Sequence, residues 1–317
     1  MKKISLMSAF DAIIVGGGSA GASCALWLKQ LGFQPCIIER RPKLGGLQNE
    51  NPYPNNWIAP VVGRHGEDVA RAIHANILSR GIACRLRTSV ESATIDHGRF
   101  VVRVVDAAGR QDFLSSPYLV LASGVRPADG GLLAGPDRVI GPGKRIDDRD
   151  FHGKSVAILG GGDNAFENYE LIRAKGAARV HIHARSIRAR REFLERIPVT
   201  DVRIGSYEVC PDTSTVSGWR YDVIVVLYGW APALEFMHGF DLARDARGFV
   251  STDVGTTETS ISNVFAIGEV AQRMHPCCVT AMADGVVAAK EIQRRIEADS
   301  RDNFIAAVRS AALQSSR

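Results

Sequence analysis

Phe10-Asp11-Ala12-Ile13-Ile14-Val15-Gly16-Gly17-Gly18-Ser19-Ala20-Gly21 decides the fold of this 317-residue chain. The run from Phe10 to Val15 is short and apolar, the pattern of a parallel strand buried on both faces. Gly16-x-Gly18-x-x-Gly21 follows at once. Ala22 to Leu31 then carries apolar residues at helical spacing, and Gly32 stops that helix. Pro35 to Glu39 reads as a second strand. In such a strand–turn–helix unit the first glycine permits a tight turn. The second lets a pyrophosphate approach the backbone, and the third lets helix and strand pack closely. The helix N-terminus offers free N–H groups and a positive dipole end to the phosphates. Glu39, 21 residues after Gly18, ends the second strand where a carboxylate accepts hydrogen bonds from a ribose.

The pattern returns about 144 residues later, an internal duplication of one module. Ser155 to Leu159 is the strand, Gly160-x-Gly162-x-x-Ala165 the turn, Phe166 to Lys175 the helix and Arg179 to His183 the next strand. No acid closes that strand. His181-Ile182-His183-Ala184-Arg185-Ser186-Ile187-Arg188 stands there instead. Exchanging the carboxylate for arginines removes a ribose acceptor and adds bidentate phosphate donors, which points to the 2′-phosphate of NADP(H). Two readings compete. Arg185, Arg188, Arg190 and Arg191 also fit a solvated basic helix face. A nucleic-acid patch is the other, but it lacks interleaved aromatics apart from Phe193.

Working outward, residues 40–66 read as a long loop and His65 to Arg80 as a helix. Ser89 to Ile95, Phe100 to Val105 and Tyr118 to Ala122 read as strands. Residues 125–153, rich in Gly and Pro, read as an interdomain connection. Val223 to Leu227 and Val264 to Ile267 are further strands. A helix from Val279 to Ile296 precedes a separate short helical tail, Asn303 to Leu313. The expected fold class is α/β, with two Rossmann-like three-layer domains. Residues 122–247 form the second domain, inserted into a first domain made of 1–121 and 248–317.

Composition sets bounds on function. The chain is 45% hydrophobic and 23% charged, with a net charge of +5, ordinary for a globular protein and mildly basic. That charge suits acidic partners. No apolar run is long enough for a membrane span. The start, Met1 to Leu6, lacks the apolar stretch of a signal peptide, so a cytoplasmic protein is expected. Cys24, Cys36, Cys84, Cys210, Cys277 and Cys278 show neither a Cys-x-x-Cys nor metal-ligand spacing.

Taken together, these motifs resemble those of the low-molecular-weight thioredoxin reductase group of flavoproteins over essentially the whole chain. The resemblance rests on both glycine turns, Glu39, Gly45-Gly46-Leu47, Ala122-Ser123-Gly124, Arg185 and Arg188, Tyr228-Gly229-Trp230-Ala231-Pro232 and Ala266-Ile267-Gly268-Glu269. It implies an FAD set of Gly16, Gly18, Ser19, Ala20, Gly21, Glu39, Arg40, Gly45, Gly46, Leu47, Asn51, Ala122, Ser123, Gly124, Gly268, Glu269, Cys278 and Val279. It implies an NADPH set of Gly160, Gly162, Asp163, Asn164, Ala165, Arg185 and Arg188. Glu269 stands where the family has Asp, one methylene shorter. The last helix would aim N–H groups at the flavin pyrimidine edge.

One departure bears on chemistry. The family's Cys-x-x-Cys position holds Gly143-Lys144-Arg145-Ile146 here, and Asp147 falls where the family keeps a proton-donating acid. Cys277 and Cys278, at a helix N-terminus, are redox candidates alongside a plain packing role. Tyr53 and Trp57 border the flavin or pack in their loop. The expected activity is an FAD-dependent oxidoreductase taking hydride from NADPH. The leading acceptor is an acidic ferredoxin or flavodoxin, as in the thioredoxin-reductase-like ferredoxin/flavodoxin–NADP reductase branch, whose C-terminal tail residues 297–317 resemble. A thiol- or small-molecule-directed oxidoreductase and a redox-idle flavin-binding regulator are the alternatives. The resemblance also implies a homodimer.

Overall fold

The structure, a computed structural model, describes the backbone of residues 8–315, with side chains over 9–298 and at 301, 304 and 305. In chain order, β1 (Ala12–Val15), α1 (Ser19–Gln30) and β2 (Pro35–Glu39) form the first βαβ unit. Then come α2 (Gly66–Ser79), β3 (Ala83–Leu86), β4 (Thr88–Asp96), β5 (Arg99–Asp106), β6 (Gln111–Ser116) and β7 (Tyr118–Leu121). The second copy of the module holds β8 (Arg138–Ile140), β9 (Ser155–Leu159), α3 (Asp163–Ala174), β10 (Arg179–Ala184), β11 (Val202–Ile204) and β12 (Val223–Val226). The chain finishes with β13 (Val264–Ala266) and α4 (Cys278–Ser315).

Two compact units result. One comprises 1–49, 53–124 and 232–317, and the other 50–52 and 125–231. The sequence reading put the return at 247/248. The chain returns earlier because Leu234, Met237 and Leu242 are buried in the first unit's core with Phe100 and Val102.

In the first unit the parallel sheet runs β13-β7-β1-β2-β3. Side chains alternate across a strand, so its two faces divide cleanly. Ile14, Ile37 and Val120 meet Leu28, Ile77, Ala288 and Ile292 of the helices. Ile13, Ile38 and Leu121 meet Val102, Val104 and Leu114 of the antiparallel β4-β5-β6 sheet. The second unit repeats the plan with β8-β12-β9-β10-β11, all parallel. Ile158, Ile182 and Val225 pack on Phe166, Tyr169 and Ile172 of α3. Ala157, Leu159 and Val226 pack on Val216 of a small antiparallel sheet and on Tyr221 just past it. Each unit is thus a three-layer α/β Rossmann-type domain.

Three expectations need correction. Residues 125–153 are not a bare connection. They hold the strand Val125–Pro127, β8 and the short helix Lys144–Asp147, because Val139, Ile146 and Phe151 are buried in the second unit's core. The C-terminal segment is not a separate tail: Asn303 to Leu313 continues α4 without a break as far as Ser315. The strands β3 and β6 were missed, since their mixed polar sequences lack clear alternation.

Candidate functional site

The first turn shows which of its glycines the protein itself needs. Gly16 has φ +108°, and a Cβ there would stand 2.2 Å from the Ala122 carbonyl oxygen. A Cβ on Gly21 would stand 2.0 Å from the Gly16 carbonyl oxygen. At Gly18 the nearest atom is the Cα of Gly46, at 3.7 Å, so nothing in the protein fills that space. Open room over the middle glycine is what a pyrophosphate lying on the backbone requires. Gly45 closes the turn from the other side, its N–H donating to the Gly17 carbonyl at 2.7 Å. Leu47 follows in the 3-10 turn Gly46–Glu50.

Glu39 is buried, and its two carboxylate oxygens each accept one backbone hydrogen bond. The Gly17 N–H donates to Oε2 and the Arg41 N–H to Oε1, both at 2.9 Å. The carboxylate keeps lone pairs for ribose hydroxyls while its position is fixed. Beside it lies a cavity of about 180 Å³ lined by Gly16, Glu39, Arg40, Thr88, Ser123 and Phe236, among others. The Ser123 hydroxyl is buried there with no hydrogen-bond partner. A buried, unpaired hydroxyl beside a cavity and a fixed carboxylate suits a ribose-containing ligand. The residues therefore fit a dinucleotide. The sequence reading did not find the N–H of Gly17, Thr88 or Phe236, whose roles arise only from tertiary contact.

The N-terminus of α4 meets that of α1. Ser19 opens α1, Cys278 opens α4, and their Oγ and Sγ lie 3.1 Å apart. Cys277 precedes α4 in a reciprocal cap. Its N–H donates to Thr280 Oγ1 at 3.2 Å, and the Thr280 N–H donates to Cys277 Sγ at 3.4 Å. Burial raises the Cys277 thiol, but hydrogen bonds from Thr280 and the Val279 N–H bring it below the ordinary thiol range. Burial holds Cys278 above it. The helices approach closely because Gly285 faces α1, where a Cβ would stand 2.5 Å from the Ala20 carbonyl oxygen.

Gly268 donates its N–H to Asp284 of α4 at 3.0 Å, and Asp284 pairs with the Arg273 guanidinium at 3.0 Å. Asp284 is buried and Arg273 partly so, and Arg273 also donates to the Asp253 and Val254 carbonyls. This clasp fixes the loop carrying Glu269, whose carboxyl is pushed up by burial. Sequence reasoning missed the clasp, for which a charged pair 11 residues apart gives no local signal.

In the second unit, Gly160 has φ +145°, and its Cβ would stand 2.3 Å from the Leu227 carbonyl oxygen. Nothing lies within 4 Å of a Cβ built on Gly162. The same division of labour between glycines thus recurs. Ala165, in place of a third glycine, is fully buried. The segment after β10 folds back on the turn, the Arg188 N–H donating to the Gly161 carbonyl at 2.7 Å. Asp163 in the first turn of α3 is engaged by Arg190, through its N–H and its Nε, both at 2.8 Å. Asn164 accepts at its carbonyl from Asn168. Arg185 and Arg188 are exposed and have no carboxylate partner among the described residues.

Two further candidates cluster with the second unit. Asp147 ends the short helix Lys144–Asp147 and faces Lys175, whose ammonium is 3.7 Å from its carboxylate and also bonds its carbonyl. Asn51 falls in 50–52, which cluster with the second unit. Trp57 is largely exposed, at 78%. No helix among the described residues is long and apolar enough to cross a membrane, and no metal-ligating cluster is found among them.

Comparison with known proteins agrees with this geometry. The model of the pyridine nucleotide-disulphide oxidoreductase family matches residues 10–199. The chain is similar to the thioredoxin reductase of Borreliella burgdorferi, 24% identical over 89% of this chain and 90% of that one. It is also similar to the ferredoxin–NADP reductase of Levilactobacillus brevis, 23% identical over 92% and 95%. In fold it resembles the crystal structure of Lactococcus lactis thioredoxin reductase in the FR conformation. That match has a TM-score of 0.73 and 20% identity, covering 90% of this chain and 98% of that one. With one glycine turn in each Rossmann domain and a family match across both, this chain belongs to the pyridine nucleotide-disulphide oxidoreductase family and is a flavin- and pyridine nucleotide-dependent oxidoreductase.

Proposed function

We propose that this chain holds FAD in its first unit and NADPH in its second, and delivers electrons to an acidic carrier protein of the ferredoxin or flavodoxin kind. The observation that carries the cofactor reading is the opposite chemistry at the two second-strand ends. Glu39 is a buried, doubly anchored carboxylate. Arg185 and Arg188 are exposed cations beside the second turn. A carboxylate suits ribose hydroxyls, whereas arginines suit a 2′-phosphate.

When bound, the flavin supplies electron exchange between the nicotinamide and a second acceptor. The chain supplies the rest. Glu39 orients the ribose, and the N–H groups opening α1 face the pyrophosphate. The N–H groups opening α4 offer positive potential where Cys277 and Cys278 stand. Arg190 offsets the Asp163 carboxylate at the mouth of the second turn, so that a phosphate there meets less repulsion. Burial raises the Glu269 carboxyl, which therefore keeps its proton to higher pH than a free carboxyl.

Three observations support a protein carrier as acceptor. The sequence has no Cys-x-x-Cys, its net charge is +5, and one relative is named a ferredoxin–NADP reductase. Turnover with reduced nucleotide and ferredoxin or flavodoxin is expected, falling steeply with added salt. Absent turnover with both carriers, or turnover indifferent to salt, would contradict the reading. A second reading, a thiol-directed reductase, is favoured by the lowered Cys277 thiol. Disulfide reduction abolished by Cys277→Ser and Cys278→Ser, with no carrier turnover, would select it. Assembly as a homodimer accompanies either reading, and sedimentation tests it.

A further inference from the structure

The second unit also contains a buried polar chain that the nucleotide turns do not use. His181 and His183 lie two apart on β10, so both rings face the same side of the sheet. Both are buried. Nδ1 of His181 lies 2.8 Å from the Tyr221 hydroxyl, and Nε2 of His183 lies 2.9 Å from the same hydroxyl. Nε2 of His181 lies 3.4 Å from Nη2 of Arg203 on β11.

These contacts fix a direction. A guanidinium only donates, so His181 accepts at Nε2. A neutral His181 then carries its proton on Nδ1 and donates it to the Tyr221 oxygen. The Tyr221 O–H, its oxygen already accepting, donates to Nε2 of His183, whose own proton must sit on Nδ1. One donor orientation runs from Arg203 through His181 and Tyr221 to His183, and it requires both rings neutral. The surroundings supply that condition. His183 is pulled down to about 4 by burial, then by His181 and Arg203. His181 is lowered by burial, then by Arg203 and Arg179, against the opposing pull of Asp201. Arg179 and Arg203 stand over the Trp219 ring at 5.6 and 5.1 Å, closing the cluster with positive charge.

The chain joins β11, the segment that carries Tyr221, and β10, and its last member, His183, stands two residues before Arg185. Beyond β10 lies Arg185, one residue past Ala184. Tyr207 stacks edge-on against His183, with centroids 5.8 Å apart, and is itself hydrogen-bonded to Tyr228 and within reach of the Arg185 charge. We propose that the Arg203–His181–Tyr221–His183 chain is a one-way hydrogen-bond clamp that positions the exit of β10, and hence Arg185, for the 2′-phosphate of the bound nucleotide. Tyr221 is the positioning residue. The positioning role rests on the NADPH reading above, whereas the clamp itself does not.

The test has two arms on the flavin-loaded protein. Long-range ¹H–¹⁵N spectra of histidine-labelled protein at pH 7 should show His181 and His183 both as neutral Nδ1–H tautomers. An Nε2–H on either ring, or a charged ring, overturns the clamp. Tyr221→Phe should raise the KM for NADPH about tenfold, with kcat, flavin content and the KM for NADH unchanged. An unchanged KM for NADPH, or equal loss with both nucleotides, overturns the positioning role. Correct tautomers in a wild-type protein that turns over NADH but ignores NADPH would sink the 2′-phosphate reading and the positioning role together, leaving the clamp standing. If Tyr221→Phe does not accumulate folded, Arg203→Met gives the second readout. It should shift His181 toward the Nε2–H form and raise the KM for NADPH alone, and failure of either change overturns the proposal.

Discussion

Replacing the middle glycine of the second turn by alanine separates a ligand's demand from the protein's own. Gly162 has φ −98° and ψ 179°, an ordinary extended conformation, and a Cβ there meets nothing within 4 Å. Two small effects on folding nearly cancel. Alanine restricts the unfolded chain, worth about 0.4–1 kcal/mol, and it caps a helix less well than glycine by a comparable few tenths to about 1 kcal/mol. The melting temperature should therefore hardly move. A pyrophosphate lying against the backbone would meet the new methyl, and intrusion of that kind costs about 1–3 kcal/mol. At 1.4 kcal/mol per factor of ten, the NADPH dissociation constant should rise roughly 5- to 140-fold. Gly160→Ala is the contrast. Its φ of +145° and the Leu227 carbonyl 2.3 Å from the added Cβ strain the fold itself. The backbone conformation alone costs about 1–3 kcal/mol, so melting temperature and affinity fall together. Titration of each flavin-loaded variant without air, next to its thermal melt, reads both quantities. A Gly162→Ala protein that binds NADPH within twofold of wild type would refute the idea that this turn cradles a phosphate.

Other expectations are equally concrete. Arg185→Ala and Arg188→Ala should each raise the KM for NADPH by roughly 10- to 150-fold, as charged hydrogen bonds to phosphate contribute about 1.5–3 kcal/mol. NADH kinetics, measured alongside, should stay within twofold. Glu258 and Glu291 clasp Arg295, with Glu291 drawn down to about 2 by its hydrogen bonds to Arg294 and Arg295. Both folded-state values lie below the unfolded ones, so this contribution to stability is complete above about pH 4.5 and is lost as pH falls toward 2. Denaturant unfolding at pH 7 and pH 3 should show a larger loss in wild type than in Arg295→Gln, and equal losses would count against it. Cys277 should be alkylated well before Cys24, which burial pushes up to about 12, and mass spectrometry after brief iodoacetamide exposure at pH 7 reads the order.

The features legible in the sequence are those set by local rules. Glycines at 16, 21 and 160 are dictated by positive φ or by a carbonyl within about 2.3 Å, and such constraints leave a glycine whatever else varies. Glu39 was legible because it ends a strand at fixed spacing from the turn. The N–H of Gly17 that anchors Glu39, and the Arg273–Asp284 clasp, were not, because each joins residues brought together only by folding. The return of the chain at 232 was hidden for the same reason. Leu234, Met237 and Leu242 look like loop residues until the core that buries them is formed. His181 and His183 read as part of a basic strand end, and their shared partner, Tyr221, stands about 40 residues away.

The most direct test of the account is the visible spectrum of the purified chain, taken before and after NADPH is added without air. About one flavin per chain, bleached by NADPH at lower concentration than by NADH, is the predicted result. A colourless protein that takes up no added flavin, or a bound flavin that neither nucleotide bleaches, would contradict it.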